Sequence, residues 1–242
     1  CLVLPALWLS GMPRKRRKVV VNLSMCRYPL VEAAVEKMKW TVSRDDDAEW
    51  DLFWTDTSVV DERIMKLKRF QRINHFAGMT GIARKTGLAK TLRRLESHLP
   101  EDYSFMPRTW ILPAEANDLR AHSRRNPNSW FIVKPDGGCQ GKGIVLTDDP
   151  VKEGFDSSSP ASVAQRYLVR PFLMDSLKFD LRLYVLVTSC DPLRVYLYEE
   201  GIARFCTREY SPPDASNKET TFMHLTNWSI NKKNAASPAV PS

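Results

Sequence analysis

Three stretches of this chain hold the residue types that chemistry on phosphates and carboxylates needs. The first is WFIVKPDGGCQGKGI, Trp130 to Ile144. An apolar run delivers Lys134 at its end, and a loop follows with glycines at 137, 138, 141 and 143 around Lys142. Closely spaced glycines let backbone N–H groups approach phosphate oxygens, and lysines offset the phosphate charge. The spacing fits neither GxxxxGK[ST] nor GxGxxG, so an ordinary glycine hairpin with a surface lysine is the alternative. The second stretch is LKFDLRLYVLVT, Leu177 to Thr188. On a strand, Lys178, Asp180 and Arg182 share one face, with Tyr184 beyond, while Phe179, Leu181, Leu183, Val185 and Val187 face the core. Two cations beside a carboxylate keep it ionised. Opposite a phosphate loop this face becomes a nucleotide floor; on a solvated sheet it is a plain charge ladder. The third stretch is HLTNWSIN, His224 to Asn231. Thr226, Asn227 and Ser229 offer short hydrogen-bonding side chains. His224 beside Leu225 reads as a packed structural histidine.

The elements that must carry these residues follow from periodicity. Val19 to Leu23 reads as a strand. Pro29 opens a helix in which Leu30, Val31, Ala34, Val35 and Met38 recur at helical spacing. The acidic stretch Arg44 to Glu49 is a loop, and Trp50 to Trp54 a short strand. Thr80 to Leu99 reads as one long helix, with Ile82, Leu88, Leu92, Leu95 and Leu99 near one face. From Met106 strands come quickly: Thr109 to Leu112, Trp130 to Lys134, Gly143 to Leu146 and Gln165 to Val169. A polar, Ser-rich loop runs from Asp148 to Pro160. Phe179 to Thr188 and Leu193 to Tyr198 pair as a hairpin across Ser189 to Pro192. An α/β first half before an antiparallel, β-rich second half makes a mixed α/β (α+β) fold and excludes a doubly wound sheet.

Composition sets outer bounds. The 242 residues are 43% apolar and 26% charged, which excludes a wholly disordered or collagen-like chain. The apolar run Cys1 to Leu9 is too short to span a bilayer, and the basic run follows it rather than preceding it, so no membrane partner is expected. Five cysteines without repeated spacing make no disulfide framework, and Cys26, Cys139, Cys190 and Cys206 read as small buried side chains. Five of the eight net positive charges lie in Arg14 to Lys18, leaving +3 elsewhere. That run could bind nucleic acid or an acidic protein. With no aromatic-rich basic face beside it, a solvated arm is preferred and a nucleic-acid role disfavoured.

The order of the motifs resembles the tubulin tyrosine ligase-like family, and within it the tubulin polyglutamylases. The similar segments are RFQRINHFAGMTGIARK (Arg69 to Lys85), PRTWILP (Pro107 to Pro113), FIVKPDGGCQGKGI (Phe131 to Ile144), the run from Gln165 to Phe205, and MHLTNWSINK (Met223 to Lys232). The resemblance covers Val19 to about Asn234. It implies an ATP-grasp-like fold: a basic tail (1–18), a small N-terminal α/β domain (19–105), a central ATP-grasp lobe (106–170), an incomplete C-terminal lobe (171–234) and a tail (235–242).

The chemistry implied is ATP-dependent peptide-bond formation. A side-chain carboxylate in an acidic tubulin tail is phosphorylated, and the amino group of free L-glutamate attacks the acyl phosphate. By resemblance, Lys134 is the adenine- and phosphate-side lysine, and Gln140 and Gly141 are the glycine-loop contact. Gln165, Arg166, Tyr167 and Leu168 form the hinge that receives adenine. Lys178, Phe179 and Asp180 form a second nucleotide segment, and Thr226 and Asn227 a further nucleotide contact. Arg204 and Ser229 bind the incoming glutamate, and the catalytic roles fall to Arg204, Lys178 and Asp180. ATP and Mg2+ are the implied cofactors. Tubulin and microtubules are the implied partners, in the cytoplasm and cytoskeleton, with cilium or basal body as a further place.

Two small departures are Ala77, where Pro is usual, and Trp228, where Tyr is commoner. A larger one concerns the metal, whose family ligands are two carboxylates and an Asn late in the C-terminal lobe. No Asp or Glu occurs from Trp228 to Ser242. On this reading the metal ligands lie downstream of this chain's end. The chain alone is then expected to have negligible ligase activity and poor solubility. A truncated, non-catalytic nucleotide- or tubulin-binding remnant is the alternative to the enzyme.

Overall fold

A computed structural model of the chain describes residues 18–57, 61–150 and 160–234. Most of the basic run, the apolar start, the centre of the Ser-rich loop and the tail from 235 lie outside these residues. The backbone gathers into two compact units that divide after Met79.

In the first unit, alternating apolar residues build a small parallel sheet. Its strands are β1 (Val20–Asn22), β2 (Thr41–Ser43), β3 (Leu52–Phe53) and β4 (Arg72–Ile73), in the order β2-β1-β3-β4. Helix α1 (Pro29–Lys37) makes the crossover that parallel neighbours require. Pro29 stands at its start, where a missing N–H costs nothing. Val21, Leu23, Cys26 and Val35 fill the core, with Trp40 and Leu52 against them. A short helix, α2 (Asp61–Met65), precedes β4. The sequence reading missed β2 and β4, which are three and two residues long.

The second unit begins with α3 (Thr80–Ala83) and α4 (Lys85–His98). The helix expected from Thr80 to Leu99 is therefore broken, because Arg84 is extended at φ −89° and ψ 142°. The break serves a distant contact: the Thr86 backbone N–H donates to the Asp136 carboxylate at 2.8 Å.

After α5 (Pro100–Tyr103), four strands form an antiparallel sheet. They are β5 (Thr109–Leu112), β6 (Phe131–Pro135), β7 (Val145–Thr147) and β8 (Ser162–Arg166), in the order β5-β8-β6-β7. Helix α6 (Ala116–Arg125), unread in the sequence, packs Leu119 onto one face against Trp110, Phe131, Val133 and Ala164. The other face carries Ile132, Leu146, Tyr167 and Leu225.

A second sheet contains β9 (Leu173–Met174), β10 (Leu177–Arg182) and β13 (Ile202–Phe205), in the order β13-β10-β9. Strands β11 (Val185–Cys190) and β12 (Leu193–Leu197) form the expected hairpin. The run from Phe179 to Thr188 is thus two strands, parted at Leu183 and Tyr184, and β10 pairs with β13 instead of continuing into the hairpin. Helices α7 (Thr221–His224) and α8 (Trp228–Asn231) close the described residues.

Two burial expectations fail. Leu181, Leu183 and Val185 are exposed, because no described element packs against that part of the ribbon. Cys139 and Cys190 are also exposed, one in the glycine loop and one at the hairpin turn, while Cys26 and Cys206 are buried. Among the described residues, no helix is long and apolar enough to cross a membrane.

Candidate active site

Strand alternation decides which side chains meet. On β6, Phe131 and Val133 enter the core under α6, so Ile132 and Lys134 point to the opposite face. Gln165 on β8 stands directly opposite Ile132 and reaches diagonally to Lys134. The Lys134 Nζ donates to Gln165 Oε1 at 2.9 Å, and Gln165 Nε2 donates to Thr109 Oγ1 at 2.9 Å. Lys134 is thereby held in a half-buried place by a neutral amide.

Lys178 and Asp180 share a face of β10. The Lys178 Nζ donates to the Tyr167 hydroxyl and to the His224 carbonyl oxygen, each at 2.9 Å. Burial pushes the Lys178 ammonium down to about 8. The nearby Lys134 charge adds to this, while Cys206 and Asp180 oppose it. Lys134 is lowered too, by burial and then by the charge of Lys85. Among the described residues, neither lysine has a carboxylate at ion-pair distance. Two partly desolvated cations near each other are costly unless an anion joins them, and a polyphosphate supplies that charge. This donor set fits the phosphates of a nucleotide.

Asp180 is otherwise engaged. Arg204, its register partner on β13, grips both carboxylate oxygens, with Nε to Oδ1 at 2.7 Å and Nη2 to Oδ2 at 2.6 Å. Thr226 Oγ1 donates to Oδ2 at 2.7 Å. Burial alone would raise the Asp180 pKa, but the bonds from Arg204 and Thr226 outweigh it and hold the carboxyl below its ordinary value. Arg204 is raised in turn by its bond to Asp180. Among the described residues, no group of three or more His, Cys, Asp or Glu side chains is placed to hold a cation. Those residues do not fit a magnesium site by themselves.

The glycine loop docks on α8. Gln140 and Gly141 have φ of 60° and 80°, and Ser229 Oγ donates to the Gln140 carbonyl at 2.7 Å. A Cβ at Gly141 would run into the end of Ile230 and lie 3.3 Å from Asn227 Cγ. Glycine at 141 therefore serves both the left-handed turn and the close approach.

The geometry divides the expected site residues. Lys134, Gln165, Tyr167 and Lys178 come together, as do Asp180, Arg204 and Thr226, and as do Gln140, Gly141, Asn227 and Ser229. Arg166 and Leu168 are exposed beside the first group. The Tyr167 side chain turns into the protein, and its N–H is spent on the Trp130 carbonyl at 2.7 Å. The Phe179 ring lies on the other face of β10, stacked on Phe205 at 5.3 Å.

Sequence reasoning missed the supports. Lys85 Nζ donates to the carbonyls of Pro135, Asp136 and Gly138 at 2.8, 3.2 and 2.8 Å, which staples the glycine loop to α4. Asn231 accepts from the Thr207 N–H and donates to the Leu225 carbonyl, tying α8 to the segment after β13. These contacts span 50 residues or more at Lys85 and 24 from Asn231 to Thr207, and no local spacing signals them. His224 is buried, as expected of a packed histidine, with its ring edge-on to Tyr167 and Tyr210.

Comparison with known proteins places these features in a family. Residues 62–239 match the tubulin-tyrosine ligase family. The chain belongs to that family. It is 48% identical to the tubulin polyglutamylase TTLL13 of Mus musculus over 223 residues, 91% of this chain and 27% of that protein. It is 49% identical to the tubulin polyglutamylase TTLL6 of Homo sapiens over 217 residues, 89% of this chain and 24% of that protein. With a probable beta-tubulin polyglutamylase of Tetrahymena thermophila it shares 44% identity over 226 residues, 91% of this chain and 18% of that protein. The chain thus spans about a quarter or less of the length of these relatives.

Proposed function

We propose that this chain carries the nucleotide- and glutamate-handling part of an ATP-dependent ligase that adds glutamate to side-chain carboxylates in tubulin tails. The observation that carries this reading is the nearness of two half-buried lysines, Lys134 and Lys178. The charge of the first lowers the pKa of the second, and among the described residues both are held by neutral acceptors. Such a pair suits the γ-phosphate of ATP, whose transfer to a carboxylate needs positive charge at the migrating group. The names of the relatives supply the substrate class: tubulin as acceptor and glutamate as donor. In this reading an acyl phosphate forms on the acceptor carboxylate, and the glutamate amine displaces phosphate from it.

The chain's own residues have defined tasks. Lys134 and Lys178 bind phosphate oxygens, and Gln165 keeps Lys134 extended towards them. Arg204, set by Asp180, presents a planar cation for a glutamate carboxylate. Ser229 holds the glycine loop on α8, and in this reading it also contacts the incoming glutamate. Incorporation of labelled glutamate into microtubules tests the assignment. Lys178→Ala and Arg204→Ala should each abolish most incorporation, the first by weakening ATP and the second by raising the KM for glutamate. Full incorporation by both variants would sink the reading.

A further inference from the structure

Lys178 is held by a side chain whose own direction is set two residues further away. Asn217 Nδ2 donates to Ser211 Oγ at 3.0 Å and to the Pro212 carbonyl at 2.9 Å. Its Oδ1 accepts from the Asp214 N–H at 2.9 Å and faces His224 Nε2 at 3.3 Å. The amide is therefore pinned with oxygen towards the imidazole, and Nε2 must carry the imidazole proton. Nδ1 is left as an acceptor, with the Tyr167 hydroxyl 3.1 Å away. A tyrosine has one hydroxyl proton. Tyr210, whose own O–H is spent on the Val169 carbonyl, also faces the Tyr167 hydroxyl. The imidazole nitrogen is the far stronger base and takes the Tyr167 proton. The Tyr167 oxygen can then only accept, and it accepts from Lys178. Every bond in the series runs one way: Lys178 to Tyr167, Tyr167 to His224, His224 to Asn217.

We propose that His224 and Asn217 are positioning residues that fix the Tyr167 hydroxyl as an acceptor and so hold Lys178 as an ammonium with its third N–H available to a phosphate. The proposal rests on the nucleotide reading of the cleft only for what meets that third N–H. Two N–H groups of Lys178 are spent on Tyr167 and on the His224 carbonyl. Around Lys178 stand Lys134, Asp180, Cys206, Tyr167 and His224; around His224 stand Lys178, Asp214, Tyr167 and Tyr210. Burial and then the charge of Lys178 keep His224 below its ordinary pKa, which preserves the neutral ring the series needs. Without an acceptor at Nδ1 the Tyr167 proton would be free to turn towards Lys178 and favour the neutral amine.

The test is a titration of 13C-labelled lysine side chains by NMR, with the Lys178 signal assigned by its loss in Lys178→Arg. Asparagine places an acceptor near the position of Nδ1, whereas glutamine reaches towards Nε2. His224→Asn should keep the Lys178 midpoint, and His224→Gln and Tyr167→Phe should lower it by roughly 0.5 pH unit or more. Both histidine variants lose the same ring contacts, so their thermal stabilities should fall alike while their titrations differ. ATP affinity near pH 8 should follow the titration, weakening about threefold or more only where the midpoint drops. Asn217→Ala, in a half-buried surface loop, should also lower the midpoint and is the variant of choice if the histidine changes do not fold. Equal Lys178 midpoints in His224→Asn and His224→Gln, or an unmoved midpoint in Asn217→Ala, would overturn the proposal. The titration uses nucleotide-free protein, so it decides independently of the nucleotide reading, which falls instead if Lys178→Ala leaves ATP affinity unchanged.

Discussion

Arg204 and Asp180 stand opposite each other on adjacent strands and meet through two parallel hydrogen bonds of 2.7 and 2.6 Å. The carboxylate thus aligns the guanidinium, and the guanidinium keeps the carboxylate ionised. Both side chains keep substantial contact with solvent, which limits the pair's contribution to stability.

Asp180→Asn should therefore cost about 1 kcal/mol at pH 7, measured by urea denaturation. The sign with pH follows from a folded pKa lower than the ordinary 3.8. The increment is full above that ordinary value and is lost as pH falls through the folded one. The gap between wild type and Asp180→Asn should be narrower at pH 3 than at pH 7, because pH 3 already lies below the ordinary value. A gap of equal size at both pH values would rule out the ion pair as its cause.

Lys134 is the second point of test. Its side chain is half-buried, and among the described residues its ammonium is held by a neutral acceptor, Gln165. Loss of a charge-assisted contact with phosphate should weaken ATP binding by about 1.5–3 kcal/mol in Lys134→Ala, read by calorimetry. Gln165→Leu should weaken it less, since the charge remains and only its direction is lost. Unchanged affinity in Lys134→Ala would remove this residue from the site.

The parts of the fold legible in the sequence are those with a local pattern. The strands carrying Trp110, Phe131 and Val133 are readable because short continuous apolar runs mark strands buried on both faces. Lys134 and Lys178 could be singled out because a charged residue within or closing such a strand demands a reason. What escaped depends on remote partners. Nothing near Arg84 marks a helix break, because the cause is Asp136, 50 residues beyond Thr86. Helix α6 escaped because six of its ten residues are charged, His or Asn and only Leu119 is buried. The direction of the Tyr167 side chain was also hidden, since His224 lies 57 residues away.

The exposed hairpin gives a prediction about self-association. Leu186 and Tyr196 pair across β11 and β12 and are 62% and 56% exposed. Val185, Val195 and Leu197 are exposed as well, so both faces of the ribbon present apolar surface. Surface of this kind promotes association. The double change Leu186→Lys with Tyr196→Thr should lower light scattering of the purified chain while moving its thermal midpoint little. Undiminished scattering would place the sticky surface elsewhere.

Lys85 offers a test of the loop's support. Its ammonium collects three carbonyl oxygens of the loop, and methionine would keep its length but offer no donor. Lys85→Met should destabilise the second unit by about 2 kcal/mol, since each bond to a charged donor is stronger than a neutral one. Hydrogen exchange should rise selectively between Pro135 and Gly143. Protection that stays at the wild-type level across this stretch would mean that the loop holds its shape without Lys85.

Gly141 joins the loop to α8 through two separable requirements. Its φ of 80° strains any residue with a Cβ, by about 1–2 kcal/mol. That Cβ would also press on the end of Ile230, which belongs to the apolar cluster of Ile132, Leu146, Tyr167 and Leu225. Gly141→Ala should thus cost both the backbone strain and the displacement of Ile230, and should weaken the Ser229 bond to Gln140 that depends on the docked loop. Shortening the neighbour separates the two. Ile230→Val by itself should cost about 0.5–1.5 kcal/mol. In the Gly141→Ala background it should cost less than that, or even restore stability, because it relieves the overlap while leaving the strain. Strict additivity of the two changes in a double-mutant cycle would show that loop and helix do not press on each other at this point.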